Sequence, residues 1–176
     1  MINTDYPLEA LGILLDKNCL PERYFPLIGH KERLIPGLRR RGCRTKSDAE
    51  RLSDEDFRDM GLESPEEIRL FRRFLSLYDP KPQKLRAAKA IPAAPEERAA
   101  FRELCYLPGV KEIRATLYYR SGYRSLRDFA AATVEEVLER TARTIAQNAL
   151  PCAAPLPKEV RTQIAVARAF TREPED

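Results

Sequence analysis

Chemistry in a protein begins from a few side-chain types, and this sequence supplies them sparingly. There is one histidine, His30, with four cysteines (Cys19, Cys43, Cys105 and Cys152) and no tryptophan in 176 residues. The cysteines form no Cys-x-x-Cys pair and have no histidine partners, so a zinc site is not expected. They read as thiols of a reducing, cytoplasmic compartment, some buried like small hydrophobes. Asp54, Glu55, Asp56 and Asp59 cluster, yet acids in the first turns of a helix favour its dipole without any catalysis. No glycine-rich phosphate loop, catalytic triad or paired buried carboxylate is legible, so neither an enzyme nor a cofactor is expected. The remaining candidates are cations and rings. Arg39, Arg40 and Arg41 with Arg44 and Lys46 can track a phosphate backbone, or form a solvated helix face that answers the acids after them. Tyr118, Tyr119 and Tyr123 beside Arg120 and Arg124 can stack on bases or fill a core.

The elements that position these residues follow from charge and repetition. The chain is 43% hydrophobic and 33% charged, with a net charge of +4, a globular balance that argues against wholesale disorder. The length allows one ordinary domain or two small ones. No apolar run approaches the roughly 18 residues of a membrane span, and the first residues lack the pattern of a signal peptide. Residues 1–78 carry 14 Lys/Arg against 14 Asp/Glu, residues 79–95 have a net +3, and residues 96–176 carry 13 against 12. Polarity within the halves is stronger than their totals. Residues 22–46 are net +6 and residues 48–67 net −7; residues 98–127 are +5 and residues 128–139 are −4.

The same order of charge occurs twice because the sequence repeats. Residues 27–57 align with 107–137 at an offset of 80, pairing Leu27/Leu107, Gly29/Gly109, Lys31/Lys111, Glu32/Glu112, Arg40/Arg120, Gly42/Gly122, Arg44/Arg124, Asp48/Asp128 and Glu55/Glu135 as identities. The match resumes with residues 64–69 against 156–161 at an offset of 92, so the second copy carries an insertion around 142–155. Thr45-x-x-Asp48 and Ser125-x-x-Asp128, then Ser53-x-x-Asp56 and Thr133-x-x-Glu136, place a hydroxyl to cap a helix and a carboxylate three residues on. Gly42 and Gly122 suit the left-handed residue that ends a helix, and Pro65 and Pro157 suit a first helical turn. Ile68, Phe71, Phe74, Leu75 and Tyr78 share a face of the last helix in copy one, as do Val160, Ile164, Ala167 and Phe170 in copy two. The expectation is an all-α chain of two lobes, 1–78 and 96–176, each of four to five short helices. The Pro- and Lys-containing segment 79–95 reads as a semi-rigid linker. Pro36 either begins a helix or kinks one.

A turn, a helix, then Gly-x-Arg-[Ser/Thr]-x-x-Asp and a second capped acidic helix resembles the helix-hairpin-helix superfamily. The nearest likeness is to the C-terminal domain of the bacterial RNA polymerase alpha subunit. It is carried by Leu38–Gly42, Thr45, Asp48, Ser53–Phe57 and Ser64–Ile68. The resemblance implies binding to the DNA minor groove and phosphates. Carried across, the DNA-contacting Arg matches Arg33, and in copy two Ile113 stands there with Arg114 adjacent. The later Gly and Ser match Gly61 and Ser64, whereas the family's Lys between them is Glu63, and Leu156 replaces the Ser in copy two. The hairpins read Ile28-Gly29-His30-Lys31 and Pro108-Gly109-Val110-Lys111, with Lys in place of the superfamily's second Gly. The expected interface is therefore Gly29, Lys31, Arg33, Arg40, Gly61 and Ser64, with Gly109, Lys111, Arg114 and Arg120. The expected function is a non-enzymatic protein that binds the backbone of duplex DNA. The rival is a protein-interaction or self-associating adaptor, because residues 52–62 are similar to the middle of SAM domains, whose oppositely charged surfaces pair.

Overall fold

The computed structural model describes residues 5–78 and 95–172. The fold is all-α: these residues form eleven α-helices and one 3-10 turn, and a single antiparallel bridge joins Pro7 to Thr45. The chain divides into two compact units, Met1–Lys81 and Pro82–Asp176. The expected linker lies outside the described residues except at Pro95, which opens a helix.

The first unit contains α1 (Leu8–Leu14), the 3-10 turn (Glu22–Tyr24), α2 (Phe25–Ile28), α3 (Lys31–Arg40), α4 (Lys46–Glu50), α5 (Asp54–Asp59) and α6 (Pro65–Ser76). That is more than the four or five helices expected, because the stretch before residue 27 also folds. Leu8, Leu11, Leu14 and Leu15 are buried, and backbone bonds from Leu8 N to Arg44 O (2.9 Å) and Lys46 N to Tyr6 O (2.8 Å) fasten its entry. Thr45, Ser53 and Ser64 each form a reciprocal capping box with the carboxylate three residues on. Two of four orphaned N–H donors are thereby satisfied at each helix start, and chain direction is set where short helices have little cooperativity of their own. Phe57, Phe71 and Phe74 fill the core with Leu27, Leu34, Leu38 and Ile68. Tyr78, expected on this apolar face, lies two residues past the end of α6 and is half-buried.

Helix α3 starts at Lys31 and runs through Pro36. Proline's missing N–H leaves the Glu32 carbonyl without its partner one turn on. Burial compensates on the opposite face, where Leu34 and Leu38 are fully enclosed. Gly37 is also buried, and a Cβ there would stand 2.7 Å from Met60 Cγ, so any side chain at this position would displace that of Met60. The helix closes with Gly42 at φ 77°, Gly42 N bonding Arg39 O and Cys43 N bonding Leu38 O. This is a Schellman ending.

The second unit contains α7 (Pro95–Leu104), α8 (Glu112–Arg120), α9 (Leu126–Ala131), α10 (Val134–Asn148) and α11 (Pro157–Thr171). Helix α8 ends on the same pattern, with Gly122 at φ 99°, Gly122 N on Tyr119 O and Tyr123 N on Tyr118 O. The insertion is not a loop throughout. Helix α5 is stopped by Gly61 at φ 103°, whereas the aligned Thr141 stays helical with its hydroxyl on Val137 O at 2.7 Å. Helix α10 therefore continues to Asn148 and ends at Ala149, φ 47°. Val160, Ile164 and Ala167 are buried as expected, while Phe170 is half-buried. The core differs in kind at one point. The buried Tyr118 hydroxyl donates to Gln163, whose amide donates to Pro108 O at 2.9 Å. The aligned pair of the first unit, Leu38 and Phe71, is wholly apolar and buried.

Candidate nucleic-acid interface

Helix α3 gathers several of the cations that the first unit turns to solvent. Arg33, Arg39 and Arg40 are exposed and Lys31 is half-buried. Spacing explains the arrangement. Leu34, Gly37 and Leu38 take the inward stripe, and Arg33 and Arg40, two turns or about 10.5 Å apart, line its edge on either side of Gly37 and reach out to solvent. Among the described residues none of these four cations meets a carboxylate. Arg41, grouped with them in the sequence, belongs elsewhere. Its guanidinium lies 3.4 Å from both Asp56 and Asp59.

The acidic segment is largely consumed within the unit. Asp54 pairs with Arg72 at 2.6 Å, and Glu50 with the buried Lys46 at 2.9 Å. Asp48, Asp56 and Glu67 serve as the carboxylates of the three capping boxes. The N–H of Arg44 holds the Asp48 carboxyl below its ordinary range, and the Ser53 hydroxyl does the same for Asp56. Hydrogen bonds made only to the ionised form produce this direction of shift.

Gly61 and Ser64 are brought near α3 but not as phosphate ligands. A Cβ on Gly61 would lie 3.2 Å from the Arg33 guanidinium, so the glycine seats that arginine. The Gly61 N–H is taken by Arg58 O at 2.9 Å. At the start of α6, where backbone N–H groups can receive an anion, the chain's own Glu67 already sits. It accepts from Glu63 N at 3.1 Å, Ser64 N at 3.3 Å and the His30 ring at 3.0 Å, while Ser64 Oγ accepts Glu67 N at 3.1 Å. The Ser64 N–H foremost, then His30, pull the Glu67 carboxyl below the usual range. His30 thus ties the turn before α3 to the head of α6.

The paired glycines of the two hairpins are not equivalent. Gly29 is helical, φ −64°, and a Cβ there would approach only Pro26 O, at 3.9 Å. Gly109 is left-handed, φ 74°, which glycine alone adopts without strain. Lys31 is accordingly the first residue of α3, whereas Lys111 is the extended N-cap of α8.

In the second unit the expected residues scatter. Lys111 and Arg120 are exposed without a carboxylate partner among the described residues. Arg114 is turned inward, bonding Ala153 O at 3.2 Å and lying 4.0 Å from Glu159. Tyr118 and Tyr123 belong to the core, both against Phe129. Only Tyr119 keeps partial exposure, edge-on to Phe101 with the Arg124 guanidinium 5.3 Å from its ring centre. No group of three His, Cys, Asp or Glu side chains suited to a metal occurs among the described residues. Cys43 is buried, and burial raises its thiol and takes that of Cys105 up to about 11.

Two features escaped the sequence reasoning. Gln163 stands on the inward face of α11 between Val160 and Ile164, and a polar residue at that period is a signal for a buried bridge. Ile113 and Leu156 are 57% and 63% exposed, at the positions aligned with Arg33 and Ser64. No known protein family matches the chain, and neither a curated protein nor a solved structure does.

Proposed function

We propose that this is a non-enzymatic, cytoplasmic nucleic-acid-binding protein that grips the phosphate backbone of duplex DNA with α3 of its first unit. One observation carries the reading. Lys31, Arg33, Arg39 and Arg40 lie on one short helix without carboxylate partners among the described residues, while Asp48, Glu50, Asp54, Asp56, Asp59, Glu66 and Glu67 are engaged as caps or ion pairs. Most of the acidic charge is met within the unit, and these four cations are left for a partner. The matched Schellman endings after α3 and α8 support a tandem helix-hairpin-helix origin for the two units. The head-to-tail self-association of the rival reading would use Asp54, Asp56 and Asp59, which already face Arg72 and Arg41.

Titrating labelled duplex DNA over a range of salt concentrations tests the proposal. Four phosphate contacts give a log–log salt slope of about −3.6, so affinity falls on the order of a hundredfold between about 50 and 200 mM salt. Arg39→Gln/Arg40→Gln shortens the slope by about 2. Absence of binding at low salt, or an unchanged slope in the variant, overturns the proposal.

A further inference from the structure

We infer that the second unit carries a docking surface for an acidic segment of a partner protein bearing apolar side chains, built from Ile113, Leu156 and the loop that separates α10 from α11. The inference stands apart from DNA binding by the first unit.

Residues 149–157 read Ala-Leu-Pro-Cys-Ala-Ala-Pro-Leu-Pro, with no charged or amide side chain and no hydroxyl. Pro155 is the only one of them that is buried. Ala153, Ala154, Leu156 and Pro157 are exposed, and Leu156 is 63% accessible. An uncharged run of this length at the surface has no reason to face water for the fold's sake, and contiguous apolar surface rimmed by polar groups marks contact sites. Arg114 binds the Ala153 carbonyl at 3.2 Å, and Gln163 binds the Pro108 carbonyl at 2.9 Å. The first tie places the head of α8, with exposed Ile113, beside the loop, and the second holds the turn before α8 against α11. Three prolines, at 151, 155 and 157, restrict φ along it, so little conformational freedom remains to be lost on docking.

Charge selects the occupant. The exposed cations Lys111 and Arg161 lie two residues before Ile113 and five after Leu156. The nearby Glu159 is engaged by the Leu156 N–H at 3.0 Å and faces Arg114 at 4.0 Å. A second copy docked patch to patch would set these cations against one another. A partner with leucine or phenylalanine flanked by aspartate or glutamate satisfies both features at once.

The test uses the full chain and a fluorescein-labelled synthetic peptide in which Leu and Phe alternate with Glu and Asp. Anisotropy is expected to show saturable binding, with amide shifts in the NMR spectrum confined to residues 109–114 and 149–161. Ile113→Ser/Leu156→Ser should weaken binding about tenfold. The serine at 156 can cap α11, so the loss is not one of folding. Lys111→Glu/Arg161→Glu should abolish binding of this peptide and admit one with Lys at the acidic positions. Absence of binding, equal binding of the lysine peptide by the unaltered protein, or an unaffected Ile113→Ser/Leu156→Ser variant overturns the inference. So does stronger binding of phosphatidylserine vesicles than of the peptide, which would identify a membrane-facing patch. The same serine variant should retain the salt-dependent DNA affinity of the first unit, so either proposal can fail alone.

Discussion

Position 156 allows the contribution of a helix cap to be separated from that of packing. Leu156 already has the extended backbone of an N-cap (φ −80°, ψ 147°), and Glu159 already accepts its N–H at 3.0 Å. Only the hydroxyl is missing, the group that at the aligned Ser64 accepts Glu67 N at 3.1 Å. Leu156→Ser supplies it and Leu156→Ala does not. Both remove the same partly buried side chain, which is 63% exposed, so their lost packing cancels in the comparison. The difference is the cap itself, about 1 kcal/mol within a usual range of about 0.5–2. Native-state hydrogen exchange at the α11 amides of Val166 and Ala167, both enclosed in the core, reports the second unit without reference to the first. Exchange in the serine variant should be about fivefold slower than in the alanine variant. Equal protection in the two would refute the assignment of 156 as a cap with one half absent. Ser64→Ala, read at the α6 amides, should speed exchange by a similar factor, because it removes the hydroxyl from a complete box.

The other expectations concern the hairpins and acid. Gly29→Ala should be neutral or stabilise by a few tenths of a kcal/mol, because its backbone is helical and the space is open. Gly109→Ala should cost about 1 kcal/mol through its φ of 74° alone, and urea midpoints for the two variants would expose any reversal of that order. Asp48, Asp56 and Glu67 have depressed carboxyl pKa values. Their contribution to stability is thus complete above the unfolded carboxylate range, near about 4, and is lost as pH falls below it toward the folded values. Urea midpoints between neutral pH and about pH 3 should fall accordingly, and Glu67→Gln should lower the neutral midpoint while flattening the acid decline.

The elements were legible wherever a local rule decides them. Hydroxyl–carboxylate pairs three residues apart marked the starts of α4, α5 and α10, and Gly42 and Gly122 marked the ends of α3 and α8, because each motif closes within a few residues. Prediction weakened where burial overrides propensity. Pro36 is tolerated inside α3 because Leu34, Gly37 and Leu38 are held by the core on the other face. The candidate site was legible as a set of residue types, and less so as a set of roles. Arg33 and Arg114 are near neighbours in the alignment, yet one is exposed against Gly61 and the other is turned onto Ala153.

The sequence by itself marked the starts of α4, α5 and α10, the ends of α3 and α8 and the polarity of each half, because these depend on spacing along the chain. Which charges find a carboxylate was decided only by tertiary structure. Arg41 and Arg40 are adjacent and chemically identical, but folding brings Asp56 and Asp59 to the first, while no carboxylate among the described residues meets the second. Gly29 and Gly109 align as identities, yet one is helical and the other left-handed. Availability depends on what long-range packing places beside a group, and two residues of one type can therefore have different fates.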